Sequence, residues 1–595
     1  MTDPPRTRKR LSRPLLLRWL LRGLALVWLG SGGTGAAAPP RDSGARQTLV
    51  KAILSAPGDQ PALLAELANS DAKVVREVLT AWSRDSLYLW DAPDGAKVPV
   101  LLEDQPDADG KARAGRVDDG QFLKDPQGKE LRFAANDLAS AETDMKLRGL
   151  LQQTLDTLAL ADPAVDVRRS AVLKLGNSGR SKNVPLLQSR LATETDPSVR
   201  RAIGEAMALL RLEDPDQQVV LAAVNSLAQL KSIGSLARLK TISEKSGTPQ
   251  PVARAAQRAV VAIRQHIEWV DFVGTLFHGL SLGSILLVVA LGLAITFGLM
   301  GIINMAHGEM IAVGAYTCYV VQNLFGTGFA FSITLPFRLG AHQLGFGLRL
   351  PGLNATGWVY QSYFLVALPL SFLMAALAGW VVERTVIRFL YRRPLESLLA
   401  TWGVSLVMQQ CFRMVFGANN VQVNSPSWLL GHFTMDDVLF GYNRVFVIGF
   451  AVLIVIGTWL LLTRTSLGLL VRAAMQNRNM AACMGVRTGR VNLLTFAFGS
   501  GLAGLAGAFL SQIGNVGPSL GQSYIVDSFM TVVVGGVGSI VGTVCSAIGI
   551  GTLDQVLQQV LGSPVLGKII VLVGIILFLQ WKPGGLFSLR SRSLD

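Results

Sequence analysis

Cysteine is scarce in this 595-residue chain: Cys318, Cys411, Cys483 and Cys545 are the only four, and none lies before residue 318. The first half can therefore use no disulfide and must be held by packing. No CxxC pair and no Cys/His spacing of the zinc-binding kind occurs, and the five histidines are scattered. No metal site is expected from such a pattern. The phosphate-cradling pattern Gly-x-x-x-x-Gly-Lys-Ser/Thr is absent, so the chain is not its own P-loop ATPase. HExxH and any Ser/His/Asp grouping are missing too, so neither a catalytic residue nor a cofactor is expected. Charge is also thin, 16% of residues against 50% hydrophobic. An average this apolar points to membrane spans.

The charge that is present is unevenly placed. Residues 39–270 are rich in Asp, Lys, Arg and Gln, whereas 274–581 are long runs of Leu, Ile, Val, Gly and Ala. The formal charge of +15 would suggest nucleic acid in a soluble protein. Here much of the arginine sits at the N-terminus and in short loops between apolar runs, which speaks for membrane topology and against a nucleic-acid partner.

Residues 1–38 read as a signal peptide. Arg6, Arg8, Lys9, Arg10 and Arg13 form a basic start, Leu24 to Leu29 an apolar run, and Ala36-Ala37-Ala38 a small-residue cleavage site. Arg18 and Arg22 interrupt the apolar stretch and make it a poor permanent span. A cleaved signal and an uncleaved anchor both place residue 39 onward outside the cytoplasm.

The exported segment is expected to be helical. Asp162-Pro163 precedes Val165, Val167 and Ala171-Val172-Leu173; Asp196-Pro197 precedes Val199 and Ala202-Ile203. Weaker copies start at Asp214-Pro215 and Pro251, and an earlier relative at Ser70-Asp71-Ala72. Asp caps free backbone N–H groups and Pro fits the first helical turn. Units of this kind bury their apolar face by stacking on neighbours, so 147–266 reads as a HEAT-like repeat array. The preceding 39–146 reads as a helical segment with a small β insertion: short strands at 87–90 and 98–102 and a hairpin across 122–133.

The membrane half, 274–588, holds eight to nine hydrophobic segments: 278–300, 305–321, 362–382, 398–416, 444–462, 491–513, 525–538, 540–561 and 564–581. Arginine-rich loops at 383–393 and 464–490, and the tail with Lys582, Arg590 and Arg592, fall on one side by parity. The positive-inside rule makes that side the cytoplasm, which puts residue 270 outside, in agreement with the signal. The fold class is thus mainly α: a polytopic helical membrane protein with an exported repeat domain at its N-terminus.

Three segments carry the functional reading. Leu291–Met300 runs into Ile303-Asn304-Met305-Ala306-His307-Gly308-Glu309. Polar side chains at a span break are costly in lipid and must face protein or water. Asn304, His307, Glu309 and the nearby Thr296 are therefore candidates for a solute pathway. In the loop 473–486, Ala473, Asn477, Ala481 and Gly485 recur every four residues. On one helix they would form a narrow stripe of small side chains suited to docking another protein. Val532–Ser539 contains Gly535, Gly536 and Gly538, dense enough to break a helix or allow close helix approach.

These three segments, with Trp581-Lys582-Pro583-Gly584-Gly585-Leu586-Phe587, resemble the permeases of the branched-chain amino acid and urea ABC transporter family. The resemblance covers roughly 274–588. It implies an inner-membrane importer subunit that is not an enzyme. The partners it implies are two cytoplasmic ATPases, a second related permease and a periplasmic solute-binding protein. By the same resemblance the 473–486 stripe is the helix that couples to the ATPase. The exported extension is similar to that of urea-type permeases, which makes urea or a related short amide the leading cargo and a branched-chain amino acid the alternative. A membrane receptor with a periplasmic sensing domain is the distant alternative. It requires a cytoplasmic output domain, and only fourteen residues follow Trp581. Residues 322–360 are longer than a minimal family loop, and nothing in the sequence accounts for Arg338 to Gly352.

Overall fold

The computed structural model describes residues 43–67, 73–92, 95–103, 111–125, 130–301, 304–339, 342–390 and 393–587. The signal segment 1–38, Ser70-Asp71-Ala72, Ile303, Arg392, Arg590 and Arg592 lie outside the described residues. The chain divides into two compact units, with the boundary between Ile263 and Arg264.

The first unit opens with helices α1 (Ser43–Leu54), α2 (Gln60–Leu67) and α3 (Lys73–Ser83). An antiparallel sheet follows, in order β4-β3-β2-β1-β5: β1 (Leu87–Asp91), β2 (Lys97–Leu102), β3 (Ala112–Arg116), β4 (Arg132–Phe133) and β5 (Ala139–Ser140). Where a hairpin is expected across 122–133, Lys124 bridges Glu130, and β4 then returns to pair with β3. Leu49, Leu64, Val75, Leu79, Trp82 and Leu87 gather with Leu151 in one apolar core.

Six more helices complete this unit: α4 (Met145–Ala159), α5 (Val165–Asn177), α6 (Val184–Thr193), α7 (Pro197–Arg211), α8 (Gln217–Leu230) and α9 (Leu236–Glu244). The Asp-Pro pairs act differently at each start. Asp196 caps α7, its carboxylate accepting from Ser198 N at 2.9 Å and Val199 N at 3.3 Å. Asp162 instead turns the chain before α5, accepting from Ala164 N at 2.7 Å and pairing with Arg76. For α8 the cap is Asp216 and not Asp214, because Asp214 is occupied by the Asp216 N–H. Gly176 of α5 lies against Ala206 of α7, so close that a Cβ would sit 2.6 Å from Ala206 Cα. Ion pairs tie α5 to the end of α6: buried Glu194 accepts from Arg168 Nε and Nη2 at 3.0 Å and from Arg190 at 2.9 Å.

Helix α10 (Gln250–Met300) contains the boundary between the units. The second unit continues with α11 (His307–Phe325), a hairpin of β6 (Gly328–Leu339) and β7 (His342–Pro351), then α12 (Gly357–Gln361), α13 (Tyr363–Thr385) and α14 (Pro394–Phe416). A short hairpin, β8 (His432–Met435) and β9 (Val438–Gly441), leads to α15 (Tyr442–Arg464), α16 (Ser466–Gln476) and α17 (Arg478–Cys483). The last helices are α18 (Thr488–Leu510), α19 (Leu520–Gly535), α20 (Ile540–Leu561) and α21 (Pro564–Trp581). The stretch without a sequence account, Arg338 to Gly352, belongs to the β6–β7 hairpin, whose register shifts between Thr334 and Arg338.

Every expected hydrophobic segment is centred on a helix, though 305–321, 491–513 and 525–538 overrun theirs by two or three residues. Among the described residues, six helical stretches are long and apolar enough to cross a membrane: Gln250–Gly298, Gly357–Phe389, Tyr442–Arg464, Thr488–Leu510, Ile540–Leu561 and Pro564–Trp581. The remaining three differ for visible reasons. Helix α11 opens on His307 and Glu309, α14 carries a polar stripe, and α19 has only 16 residues. Helix α18 is central, with 78% of its apolar window buried, against 22% in α15 and 17% in α21. Those outer helices show Leu453, Ile456, Ile569 and Leu577 at the surface, as lipid-facing helices do.

The central helices approach through glycine. A Cβ on Gly314 of α11 would collide with the Gly504 carbonyl of α18, and one on Gly308 would lie 2.6 Å from the Gly521 carbonyl of α19. Lipid provides no hydrophobic drive between helices, so contacts of this closeness supply the packing.

Candidate functional site: a buried polar seam

The seam starts where α10 ends. Gly301 takes φ +64°, and the chain re-enters helix at His307. Asn304 Oδ1 accepts from Ala306 N at 3.0 Å, closing this turn, and Met305 N donates to Thr401 Oγ1 at 3.2 Å. His307 is fully buried, with Nε2 3.4 Å from the Val289 carbonyl. Glu309 is fully buried as well. Its Oε1 accepts from Ser405 Oγ at 2.8 Å and from Gln409 Nε2 at 2.9 Å. Three atoms of these residues are buried without a partner: Asn304 Nδ2, His307 Nδ1 and Glu309 Oε2. Buried polar groups are rarely left so, which sets this seam apart from ordinary packing.

Three of the four pathway candidates are therefore buried within one six-residue stretch, His307 against α10 and Glu309 against α14. Thr296 does not join them: its hydroxyl donates to Gly292 O at 3.1 Å and Leu293 O at 3.0 Å within its own helix. The sequence reading missed the other wall of the seam. Ser397, Thr401, Ser405 and Gln409 recur every four residues along α14 and are all buried, while Leu395, Leu399, Trp402 and Leu406 face outward. A helix with polar side chains inside and apolar ones outside suits a membrane, and its four-residue rhythm is readable in the sequence. A second missed group is Asp527 of α19 and Lys568 of α21, paired at 2.9 Å, with Asp554 of α20 beside the same small cavity. Charges inside apolar runs are the signal that would have found them.

The segment 473–486 departs from the single striped helix. Helix α16 stops at Gln476, Asn477 is extended at φ −156°, and its side chain caps α17 by accepting from Met480 N at 2.9 Å. The capping preference of Asn outweighs the helical register there. Ala473, Asn477, Ala481 and Gly485 thus do not share one face. Ala481 is buried, Gly485 turns the chain at φ +83°, and the large apolar side chains exposed there are Met480 and Met484.

The glycine-dense segment ends α19. Gly536 and Gly538 take φ +98° and +82°, and Ser539 caps α20 through Gly542 N at 3.1 Å. Leu586 N donates to Val534 O at 2.7 Å and Phe587 N to Gly535 O at 3.2 Å, so the C-terminal motif satisfies the carbonyls that end α19. Beside this junction a cavity of about 780 Å³ is lined by Leu291, Gly298, Arg472, Met475, Gly538 and Pro583 among others.

Residues 275–579 match the family described as branched-chain amino acid transport system / permease component. The chain belongs to this family. It is similar to the high-affinity branched-chain amino acid transport system permease protein BraD of Pseudomonas aeruginosa, 26% identical over 53% of this chain and 94% of that protein. It is also similar to LivH of Escherichia coli, 25% identical over 50% of this chain and 89% of LivH. The probable branched-chain amino acid transport permease LivH of Methanocaldococcus jannaschii is 26% identical over 52% of this chain and 91% of that protein. No solved structure matches the chain. As a family member this permease is a multi-pass inner-membrane subunit of an ABC importer, non-catalytic itself, working with partner ATPases and a substrate-binding protein. Membership replaces the receptor alternative.

Proposed function

We propose that this permease carries a branched-chain amino acid and that the Asn304–His307–Glu309 seam lies on its path. The observation that carries the cargo assignment is the likeness to BraD and LivH along 94% and 89% of their own lengths. The seam's chemistry agrees. A zwitterion needs an acceptor for its ammonium group and donors for its carboxylate, and Glu309 Oε2, Asn304 Nδ2 and His307 Nδ1 are buried without partners. Urea or a short amide is the second reading. It is favoured by the segment 39–270, which lies outside the matched residues 275–579.

The remaining assignments belong to the same proposal. Residues 39–270 face the periplasm behind the signal at 1–38, and the C-terminus is cytoplasmic. The 473–486 turn meets an ATPase, and a second related permease completes the pathway. The array 147–266 braces the assembled complex. The test is uptake by intact cells with and without the chromosomal copy of this chain, using labelled leucine and labelled urea in parallel. Loss of leucine uptake alone supports the first reading. Loss of urea uptake with leucine unaffected replaces it by the second.

A further inference from the structure

Helix α11 is held by two seams of different kind. One is backbone against backbone: Gly308 on Gly521 and Gly314 on Gly504, with the Ser371 hydroxyl of α13 donating to Gly314 O at 2.9 Å. Nothing there gains from water, and separating the helices would open a void. The other seam, against α14, consists of hydrogen bonds: Met305 N donates to Thr401 Oγ1, and Ser405 and Gln409 donate to Glu309 Oε1. Such bonds can be exchanged for bonds to water or solute at little net change. The two seams are therefore unequal, and the polar one is the one built to part.

Within the polar seam the donors converge unevenly. Both Ser405 and Gln409 use Glu309 Oε1, and Oε2 is left without a partner. Asn304 Nδ2 and His307 Nδ1 are likewise buried and unpartnered within six residues of one another. Two donors on one carboxyl oxygen reproduce what an ammonium or amide group would offer it. The outward face of α14 exposes Leu395, Leu399, Trp402 and Leu406.

We propose that Glu309 accepts the N–H donors of the transported solute, that Ser405 and Gln409 are positioning residues standing in for those donors in the closed permease, and that α14 is the helix that withdraws. This rests on the seam lying on the solute path and not on which solute is carried.

The test uses the full importer, with the permease's native cysteines replaced by serine and one reporter cysteine introduced. Ser405→Cys is exposed to a small water-soluble methanethiosulfonate at rest, during ATP turnover, and with loaded binding protein present. Thr401→Cys is the second reporter on α14 should Ser405→Cys fail to assemble, and Ser371→Cys reports the glycine seam. Labelling of the α14 reporters is expected to rise about tenfold during turnover, and loaded binding protein should slow it, while Ser371→Cys stays protected. Unlabelled α14 reporters in an actively transporting complex would overturn the proposal. So would equal labelling of Ser371→Cys, which would mean that the whole bundle loosens. Leucine- and urea-loaded binding protein are compared as protectants. Protection by urea alone sinks the cargo assignment and leaves the α14 result standing.

Discussion

Leu586 N donates to Val534 O at 2.7 Å, fastening the end of the described chain to the carbonyl end of α19. Gly585 beside it takes φ +73°, and a Cβ there would lie 2.6 Å from Val533 O. The two motifs, fifty residues apart in sequence, thus form one joint. Leu586→Pro removes the donor and leaves a buried carbonyl unmet, a loss of about 1–3 kcal/mol. The expected outcome is a lower melting temperature of the detergent-purified permease than wild type. An unchanged melting curve would show that the joint adds no stability.

At the 473–486 turn Ala481 is buried, and the exposed large apolar side chains are Met480 and Met484, at 61% and 79%. A bulky residue at 481 would therefore disturb the turn itself before meeting any partner. Ala481→Trp is expected to lower the amount of permease in the membrane. Met484→Asp is expected to leave that amount unchanged while reducing co-purification of the ATPase, because an exposed methionine is an adaptable apolar contact. Normal ATPase recovery with Met484→Asp would place the coupling contact elsewhere.

The first unit should lose stability in acid through Glu194. Burial alone would raise its pKa, but hydrogen bonds from Arg168, the Asp196 N–H and Arg190 outweigh this and hold it at about 2, against an ordinary 4.5. Because the folded value is depressed, the contribution is complete above about pH 4.5 and disappears as pH falls towards about 2. Thermal unfolding followed across that window should show a steeper fall in wild type than in Glu194→Gln. Parallel curves would mean that the arginine cluster contributes nothing to acid sensitivity.

Sidedness rests on charge placement. On the proposed topology, a periplasm-active reporter fused near residue 200 should be active and one within 464–490, which holds Arg464, Arg472, Arg478, Arg487 and Arg490, silent. The reverse pattern would invert the topology.

Much of the fold was legible because its signals are local. Apolar runs mark the helices of the second unit, and Asp196-Pro197 marks the start of α7. Asn304, His307 and Glu309 stood out as polar residues at a span break. What was not legible depends on partners. Ser405 and Gln409 meet Glu309 from about a hundred residues away, and only the folded chain shows which face of α14 turns inward. Asn477 was ambiguous for a different reason: it serves equally as a helical residue or as a cap, and the cap prevails. The β6–β7 hairpin went unread because its strands pair with each other across the stretch that had no helical or repeat signal.

The central claim, an importer path for an amino acid through the Glu309 seam, is tested most directly by uptake into proteoliposomes. The permease is reconstituted with its ATPases and partner permease, and leucine-loaded binding protein is supplied at saturation with ATP inside. Wild type should accumulate labelled leucine. Glu309→Gln keeps an acceptor oxygen for Ser405 and Gln409 but cannot balance an ammonium charge, so its rate should fall about tenfold or more at equal amounts of assembled complex. Leucine accumulation by Glu309→Gln at the wild-type rate would contradict the account.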